Sequence, residues 1–138
     1  MHMITEVAIN ANGQGLHSIT TRIQSALSSA THGEGLCTLF LQHTSASLLI
    51  QENYDDSARI DLERWLNRLV PENDALYTHT LEGADDMPAH IKTALTATQL
   101  SIPFRDGQLM LGTWQGIYLW EHRHGAQQRR VLLHIAKD

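Results

Sequence analysis

The C-terminal third of the sequence constrains the fold more than any other part. Four segments rich in apolar residues follow one another there, at 99–104, 108–113, 117–122 and 129–136. Arg105-Asp106-Gly107 separates the first two, and Asp-Gly between apolar segments is a strong signal for a β-hairpin. His124-Gly125 predicts a second turn between the last two. We therefore expect antiparallel strands at this end of the chain.

The first two thirds of the chain combine strands with helices. Alternating apolar residues predict a strand at 4–9, and apolar runs predict two more at 36–42 and 47–50. Helical spacing predicts three helices, over 19–27 with Ser18 as N-cap, over 55–69, and over about 88–94 with Pro88 in the first position. This order predicts one α+β domain over 1–138 rather than an alternating parallel sheet.

The composition argues against several partners. Ten Lys and Arg face fifteen Asp and Glu, a net charge of −5, so the chain lacks the basic surface of a nucleic-acid binder. Arg129-Arg130, the one basic dipeptide, is interpreted as two exposed charges at a strand start. No apolar stretch approaches the roughly 20 residues of a membrane span, and no signal peptide is visible, so we expect no membrane association and a cytoplasmic protein. Cys37, the single cysteine, lies in an apolar run and is expected in the core.

Three of the nine histidines are candidates for chemistry: His43, His90 and His122. Each follows an apolar scaffold at a strand end or a helix start, beside acids or hydroxyls, and we predict that they converge. His79 is assigned to a polar loop. Neutral imidazoles can hold Zn²⁺ with an open position for water, or one of them can act as a general acid or base. The wide spacing of these histidines leaves both alternatives open.

Acidic and hydroxyl residues accompany the three histidines. Thr44, Ser45 and Ser47 follow His43 and either satisfy a turn or offer an anion-binding backbone. Asp85 and Asp86 precede a predicted helix, where one aspartate suffices as a cap. The pair therefore suggests a Mg²⁺ site, since Mg²⁺ prefers carboxylate oxygens.

The predicted strand 117–122 ends in three charged or titratable residues. Period-two alternation places His122 on the same face as Tyr118 and Trp120, with Glu121 on the other. Arg123 adds a permanent cation. Upstream, the polar break at 112–116 includes Thr113 and Gln115, which could approach a ligand.

Two further acids are expected to orient the histidines: Glu52 and Asp61. Asp61 lies beside the apolar stripe of the second predicted helix, a position that requires a partner.

Several motifs in this order make the chain similar to the YjbQ-like family. They are LQHTSAS at 41–47, EN at 52–53, EGADDMPAHIK at 82–92, GTWQG at 112–116 and EHR at 121–123. The family's members are known mostly as uncharacterised proteins or as secondary thiamine-phosphate synthases. The resemblance extends from about Ile4 to the end of the chain and shows no departure at these motifs.

The resemblance implies a mixed, largely antiparallel and strongly curved sheet with about three helices. It also implies a homotrimer with a metal-associated pocket at the subunit boundaries. The sequence support for a trimer is the crowding of Trp114, Tyr118, Leu119 and Trp120, which is more aromatic surface than a small core readily hides. The implied activity joins hydroxymethylpyrimidine diphosphate to thiazole phosphate and releases pyrophosphate.

Three classes of function follow. The first is an enzyme acting on a small phosphorylated heterocycle, with Mg²⁺ at Asp85 and Asp86. The second is a hydrolase with Zn²⁺ at His43, His90 and His122. The third is a binding module without turnover. Residues expected to contact substrate are Thr44, Ser45, Ser47, Glu52, Asp61, Lys92, Thr113, Gln115, Glu121 and Arg123.

Overall fold

The computed structural model describes residues 1–137, which contain eight strands and three helices. The elements are β1 His2–Ala11, β2 Gly15–Ser18, α1 Thr20–Ala30, β3 Gly35–Leu41, β4 Ala46–Glu52, α2 Asp56–Leu69, α3 Asp86–Leu95, β5 Gln99–Arg105, β6 Gln108–Leu109, β7 Gln115–Glu121 and β8 Gln127–Lys137. The α+β class predicted from the element order is confirmed. No helix of residues 1–137 has both the length and the apolar character needed to cross a membrane.

The strands form two antiparallel sheets that together curl into a half-barrel. One sheet has the order β1-β8-β3-β5-β6, and the other has the order β2-β7-β4. Every pair among the described strands is antiparallel. α1 covers the main core, where its Ile23 and Leu27 pack with strand residues such as Leu39, Leu133 and Ile135. Cys37 is fully buried in this core, as predicted.

The predicted hairpin at Asp106-Gly107 is confirmed. Asp106 and Gly107 have φ angles of 53° and 71°, and Arg105 pairs with Gln108 across them. Two consecutive positive φ angles are typical of the two-residue hairpin turns that match strand twist. The strand after the turn is shorter than predicted, because β6 ends at Leu109.

The predicted turn at His124-Gly125 is not a hairpin. β7 belongs to the three-stranded sheet and β8 to the five-stranded sheet, so the chain crosses between the sheets here. The sequence shows the break in periodicity but not which strands pair across it.

Two predicted helix starts are wrong. Ser18 lies in β2, where it pairs with Tyr118, and α1 begins at Thr20 after Ile19, which makes no side-chain cap. The four-residue β2 falls within what the sequence predicts to be a turn and a cap. α3 begins at Asp86, two residues before Pro88.

The aromatic crowding around β7 is mostly core. Tyr118 and Trp120 are buried in a second apolar cluster with Leu16, Leu66 and Val70, and Leu119 is buried in the main core, so the expected excess of aromatic surface reduces to Trp114. The apolar stripe of α2 is only partly used: Leu66 is buried, while Trp65 and Leu69 are exposed.

Candidate functional site

Three side chains converge where the loop after α2 meets α3. His79 comes from that loop, and Asp86 and His90 lie one turn apart on α3. Asp86 Oδ2 is 2.7 Å from His79 Nε2 and 3.4 Å from His90 Nε2. One potential metal ligand from each residue lies within 4.8 Å of the others. The Asp86 side chain is buried, whereas both imidazoles are partly exposed to solvent. A ligand from solvent can therefore reach the group.

A hydrogen bond fixes the orientation of the His90 ring. His90 Nδ1 is 2.9 Å from the carbonyl oxygen of Thr44, which can only accept, so Nδ1 carries a proton. In the neutral ring Nε2 then presents a lone pair toward the Asp86 carboxylate, which also accepts. The two acceptor atoms face each other over 3.4 Å, an arrangement in which both can bind the same metal ion. An imidazole whose other nitrogen donates to a backbone carbonyl is a typical oriented metal ligand.

Arg123 holds both aspartates of the Asp85-Asp86 pair. Its Nε is 3.0 Å from Asp85 Oδ2 and its Nη1 is 2.9 Å from Asp86 Oδ1. Burial alone would raise the pKa of Asp85, but hydrogen bonds from Arg123 and from the His124 N–H, with the charge of Arg123, bring it below its ordinary value. Asp85 makes no side-chain cap for α3. Because one guanidinium spans both carboxylates, the pair itself is a poorer Mg²⁺ site than the sequence suggests.

A buried ion pair lies beneath the strand ends. Arg129 Nε donates to Glu121 Oε1 over 2.6 Å, and Nη2 contacts Glu121 Oε2 and the Ser45 hydroxyl. The Glu121 side chain is 0% exposed and that of Arg129 is 5% exposed. Glu121 Oε2 also accepts the backbone N–H of Arg123, so the pair anchors the start of the polar loop. Arg129 is thus not the exposed charge that the dipeptide predicted.

An open cleft of about 580 Å³ adjoins this ion pair. Its lining includes His43, Thr44, Ser45, Thr93 and Arg129. Thr44, whose carbonyl orients His90, is one of the lining residues, so the cleft and the histidine–aspartate group are neighbours.

His43 is neutral in the cleft. Its Nε2 accepts the backbone N–H of Arg130 over 2.9 Å, which leaves the ring proton on Nδ1. Burial and then the charges of Arg129 and Arg130 lower the pKa of His43. The other ring nitrogen, Nδ1, lies 3.4 Å from Arg129 Nη1, so the imidazole is held between the guanidinium and the Arg130 backbone.

His122 faces away from this cleft. Its Nε2 lies 2.9 Å from the Ser47 hydroxyl, and the ring is almost fully buried beside Trp120. Burial, then the charges of Lys92 and Arg129, lower the pKa of His122 to about 3. Glu121 and His122 thus point to opposite faces, as the alternation predicts. The structure therefore does not bring His43, His90 and His122 to one centre.

Other predicted residues lie away from the group. Glu52 pairs with Gln115 at the start of β7, whereas Glu121 lies at its end. The two ends of this seven-residue strand are about 20 Å apart. Thr113 is exposed in the turn before β7. Asp61 is exposed and makes no hydrogen bond or ion pair within residues 1–137, because its side of α2 faces solvent. The expectation that Asp61 requires a partner is wrong.

Two important residues escaped the sequence prediction. His79 lies in a loop without periodicity, seven residues before Asp86, and no local pattern marks it. The Asp86–His90 spacing of four residues on a helix is a pattern that could have paired those two. Arg129 alternates with the buried Val131 and Leu133, so period-two alternation could have predicted an inward position.

Comparisons with known proteins agree over most of the chain. Residues 5–138 match the family model described as UPF0047 protein YjbQ-like. The chain is 48% identical to UPF0047 protein sll1880 of Synechocystis over 96% of this chain and 90% of that protein. It is 47% identical to UPF0047 protein YjbQ of Salmonella typhimurium over 91% of each. The crystal structure of the conserved hypothetical protein TT1486 from Thermus thermophilus superposes with a TM-score of 0.83 at 32% identity, covering 93% of this chain and 97% of that one.

Proposed function

The chain belongs to the YjbQ-like UPF0047 family, and we propose that it is a divalent-metal-dependent enzyme acting on a small phosphorylated substrate. The convergence of His79, Asp86 and His90 carries this proposal. Two imidazoles and one carboxylate form a donor set that suits Zn²⁺ or another transition metal better than Mg²⁺. A bound metal would supply a Lewis acid that neutralises charge on a phosphate or pyrophosphate oxygen.

The chain's own residues prepare that site. Thr44 fixes the His90 tautomer, and Arg123 holds Asp86 through the carboxylate oxygen that faces away from the imidazoles. The adjoining cleft is lined by His43 and Arg129 beside Thr44. Partners that orient ligands typically change metal affinity 10–100-fold when removed, roughly the loss we expect for Arg123→Gln.

Metal titration of the purified protein tests the site. Chelator-treated protein should bind one equivalent of Zn²⁺ per chain, measured by calorimetry and elemental analysis. His90→Ala and His79→Ala should each weaken binding at least tenfold. His32→Gln, a change to an exposed loop histidine outside the group, should bind as wild type does. Wild-type protein that takes up no transition metal would contradict the proposal.

As the specific reaction, we propose weak thiamine-phosphate synthase activity, which rests on the family resemblance. The reaction displaces pyrophosphate from a benzylic-type carbon, so negative charge develops on the leaving group. With both carboxylates of the Asp85-Asp86 pair bound to Arg123, we assign the metal to the histidine–aspartate group instead. Asp86→Ala should lose product formation from the two precursors while its circular dichroism spectrum stays native. Wild-type protein that forms no thiamine phosphate with Zn²⁺ or Mg²⁺ present would reject this reaction.

Hydrolysis is the second candidate, favoured by the same donor set. Three protein ligands leave coordination positions for water, as in catalytic zinc sites. Release of orthophosphate from a simple phosphate ester, lost in His90→Ala, would favour hydrolysis over pyrophosphate displacement. Thermal stabilisation by a ligand without any turnover would favour a binding module instead.

We also propose the homotrimer implied by the resemblance. Phe40, which lines the open cleft, is 47% exposed, and Trp114 is 57% exposed in edge contact with Tyr54. Burying such side chains between subunits would remove apolar surface from water. Light scattering that gives a mass near 15.5 kDa at micromolar concentration would contradict a trimer.

A further inference from the structure

A second cleft lies on the opposite side of α3 from the histidine–aspartate group. It has a volume of about 340 Å³. Its polar lining comprises Gln14, Glu63, Arg64, Asn67, Lys92 and His122. Lys92 follows His90 by two residues, which is about 200° around a helix, so α3 sends the two side chains to different sides.

Lys92 is a buried cation with one hydrogen bond. It is 3% exposed, and its ammonium donates to Asn67 Oδ1 over 2.5 Å. No carboxylate lies within 4.0 Å of this ammonium among residues 1–137. An ammonium has three donors, and a buried charge without an opposite charge is costly.

Neighbouring groups hold this arrangement in place. Gln14 Nε2 donates to the His122 carbonyl, and Gln14 Oε1 accepts from Asn67, which turns the Asn67 oxygen toward Lys92. Nδ1 of His122 makes no hydrogen bond within the described residues. No fully buried side-chain nitrogen or oxygen there lacks a partner. His122 Nδ1 therefore reaches the cleft.

The cleft carries an excess of positive charge. Arg64, at its exposed edge, makes no ion pair or hydrogen bond within residues 1–137. Glu63 is the one acid in the lining, and both of its oxygens are engaged, one by the Leu16 N–H at 2.8 Å and the other by Arg59 at 3.3 Å. Within the part of the chain that the structure describes, Lys92 and Arg64 thus remain without contacting acids, in a protein of net charge −5.

We infer that this second cleft binds a phosphate group, either free phosphate or the phosphate of a small molecule. A phosphate dianion matches the two positive charges, and its oxygens accept hydrogen bonds. Lys92 supplies the buried donors, Arg64 closes the exposed side, and His122 faces the same space with an uncharged ring. The site is separate from the proposed metal group and is expected to be present in metal-free protein.

Calorimetric titration of the chelator-treated full-length protein with inorganic phosphate tests this inference. Wild type should bind one phosphate per chain. Arg64→Gln should weaken binding about tenfold, the equivalent of one charge-assisted contact of about 1.4 kcal/mol. Arg68→Gln, the same change on the next turn of α2 but outside the cleft, should bind as wild type does. Absence of binding, or equal losses in these two variants, would overturn the inference.

Three further measurements locate the anion and its source. Nitrogen resonances of the His122 ring should shift on phosphate addition, and unshifted resonances during binding would place the anion elsewhere and refute the site. His90→Ala should bind phosphate as wild type does, because the metal group is not involved; a loss there would assign the anion to that group. Glycerol phosphate that binds more tightly than inorganic phosphate would identify a phosphorylated molecule as the ligand, and the reverse order would identify free phosphate.

Discussion

Removing the Glu121 carboxylate should deprive the buried Arg129 cation of the one acid that contacts it within residues 1–137. Glu121 is 0% exposed and its partner Arg129 is 5% exposed, so solvent cannot replace the lost contacts. In Glu121→Ala, the contacts left to Arg129 among the described residues are the hydroxyl and carbonyl of Ser45 and a long contact to His43. Breaking a buried pair from one side typically costs about 3–5 kcal/mol. That is a large part of the roughly 5–15 kcal/mol by which a domain of this kind is stable.

Urea unfolding followed by circular dichroism measures this loss. With an m value of about 2 kcal/mol/M, the midpoint should fall by about 1.5–2.5 M with the slope unchanged. Protein concentration must be held constant, because an oligomer's stability depends on it. Glu34→Ala is the matched control: it removes an acid from an ion pair with Arg105 in which both side chains are more than 60% exposed. Such a pair contributes at most about 1 kcal/mol.

The double variant separates an uncompensated charge from lost packing. Glu121→Leu combined with Arg129→Met replaces both charges by apolar groups and should recover most of the stability. If Glu121→Ala lowered the midpoint no more than Glu34→Ala does, the reasoning from burial would be refuted. A double variant less stable than Glu121→Ala would equally contradict it.

Three further outcomes are expected. The pKa of His122 is about 3 in the folded protein and about 6.5 in the unfolded chain, so this residue does not lower the free energy of unfolding above pH 6.5 but lowers it increasingly as the pH falls, by about 2 kcal/mol at pH 5. His122→Gln should therefore make the urea midpoint less dependent on pH in this range. An unchanged pH dependence would assign the titration to another group. Gly35→Ala should destabilise the fold by at least about 1–3 kcal/mol, since a Cβ there would lie 2.0 Å from the Ala136 carbonyl oxygen, whereas Gly125→Ala meets nothing within 4 Å and should leave the thermal midpoint unchanged. Burial raises the pKa of Cys37 to about 11, so a thiol reagent should label it only on unfolding, and rapid labelling of native protein would contradict its core position.

Local signals carried most of the fold prediction. The hairpin at Asp106-Gly107 depends on two adjacent residues, and the length of α2 depends on spacing within one segment, so both could be predicted from the sequence. The switch between sheets after β7 depends on which distant strands pair, and a break at His124-Gly125 looks the same in either case. β2 was missed because four residues are too few to show alternation.

The residues of the candidate site also differ in whether a local sequence pattern marks them. Asp86 and His90 were predicted as candidates because each follows a visible local pattern. His79 reaches them only through the path of a loop, which composition does not specify. The failed convergence of His43 and His122 has a simple cause: strand alternation fixes the face of each side chain, but not which face a separate element approaches.

The order of Glu121, His122 and Arg123 has a consequence for how this protein can change by mutation. Glu121 belongs to the buried ion pair with Arg129, His122 lines the second cleft, and Arg123 binds the Asp85-Asp86 pair. A one-residue insertion or deletion in β7 would move each side chain to its neighbour's place and disturb all three environments together. Length variation should therefore be tolerated at the exposed Gly125 and Ala126 but not within the strand. Sequence drift at Glu121 should require a compensating change at Arg129, eight positions along the chain.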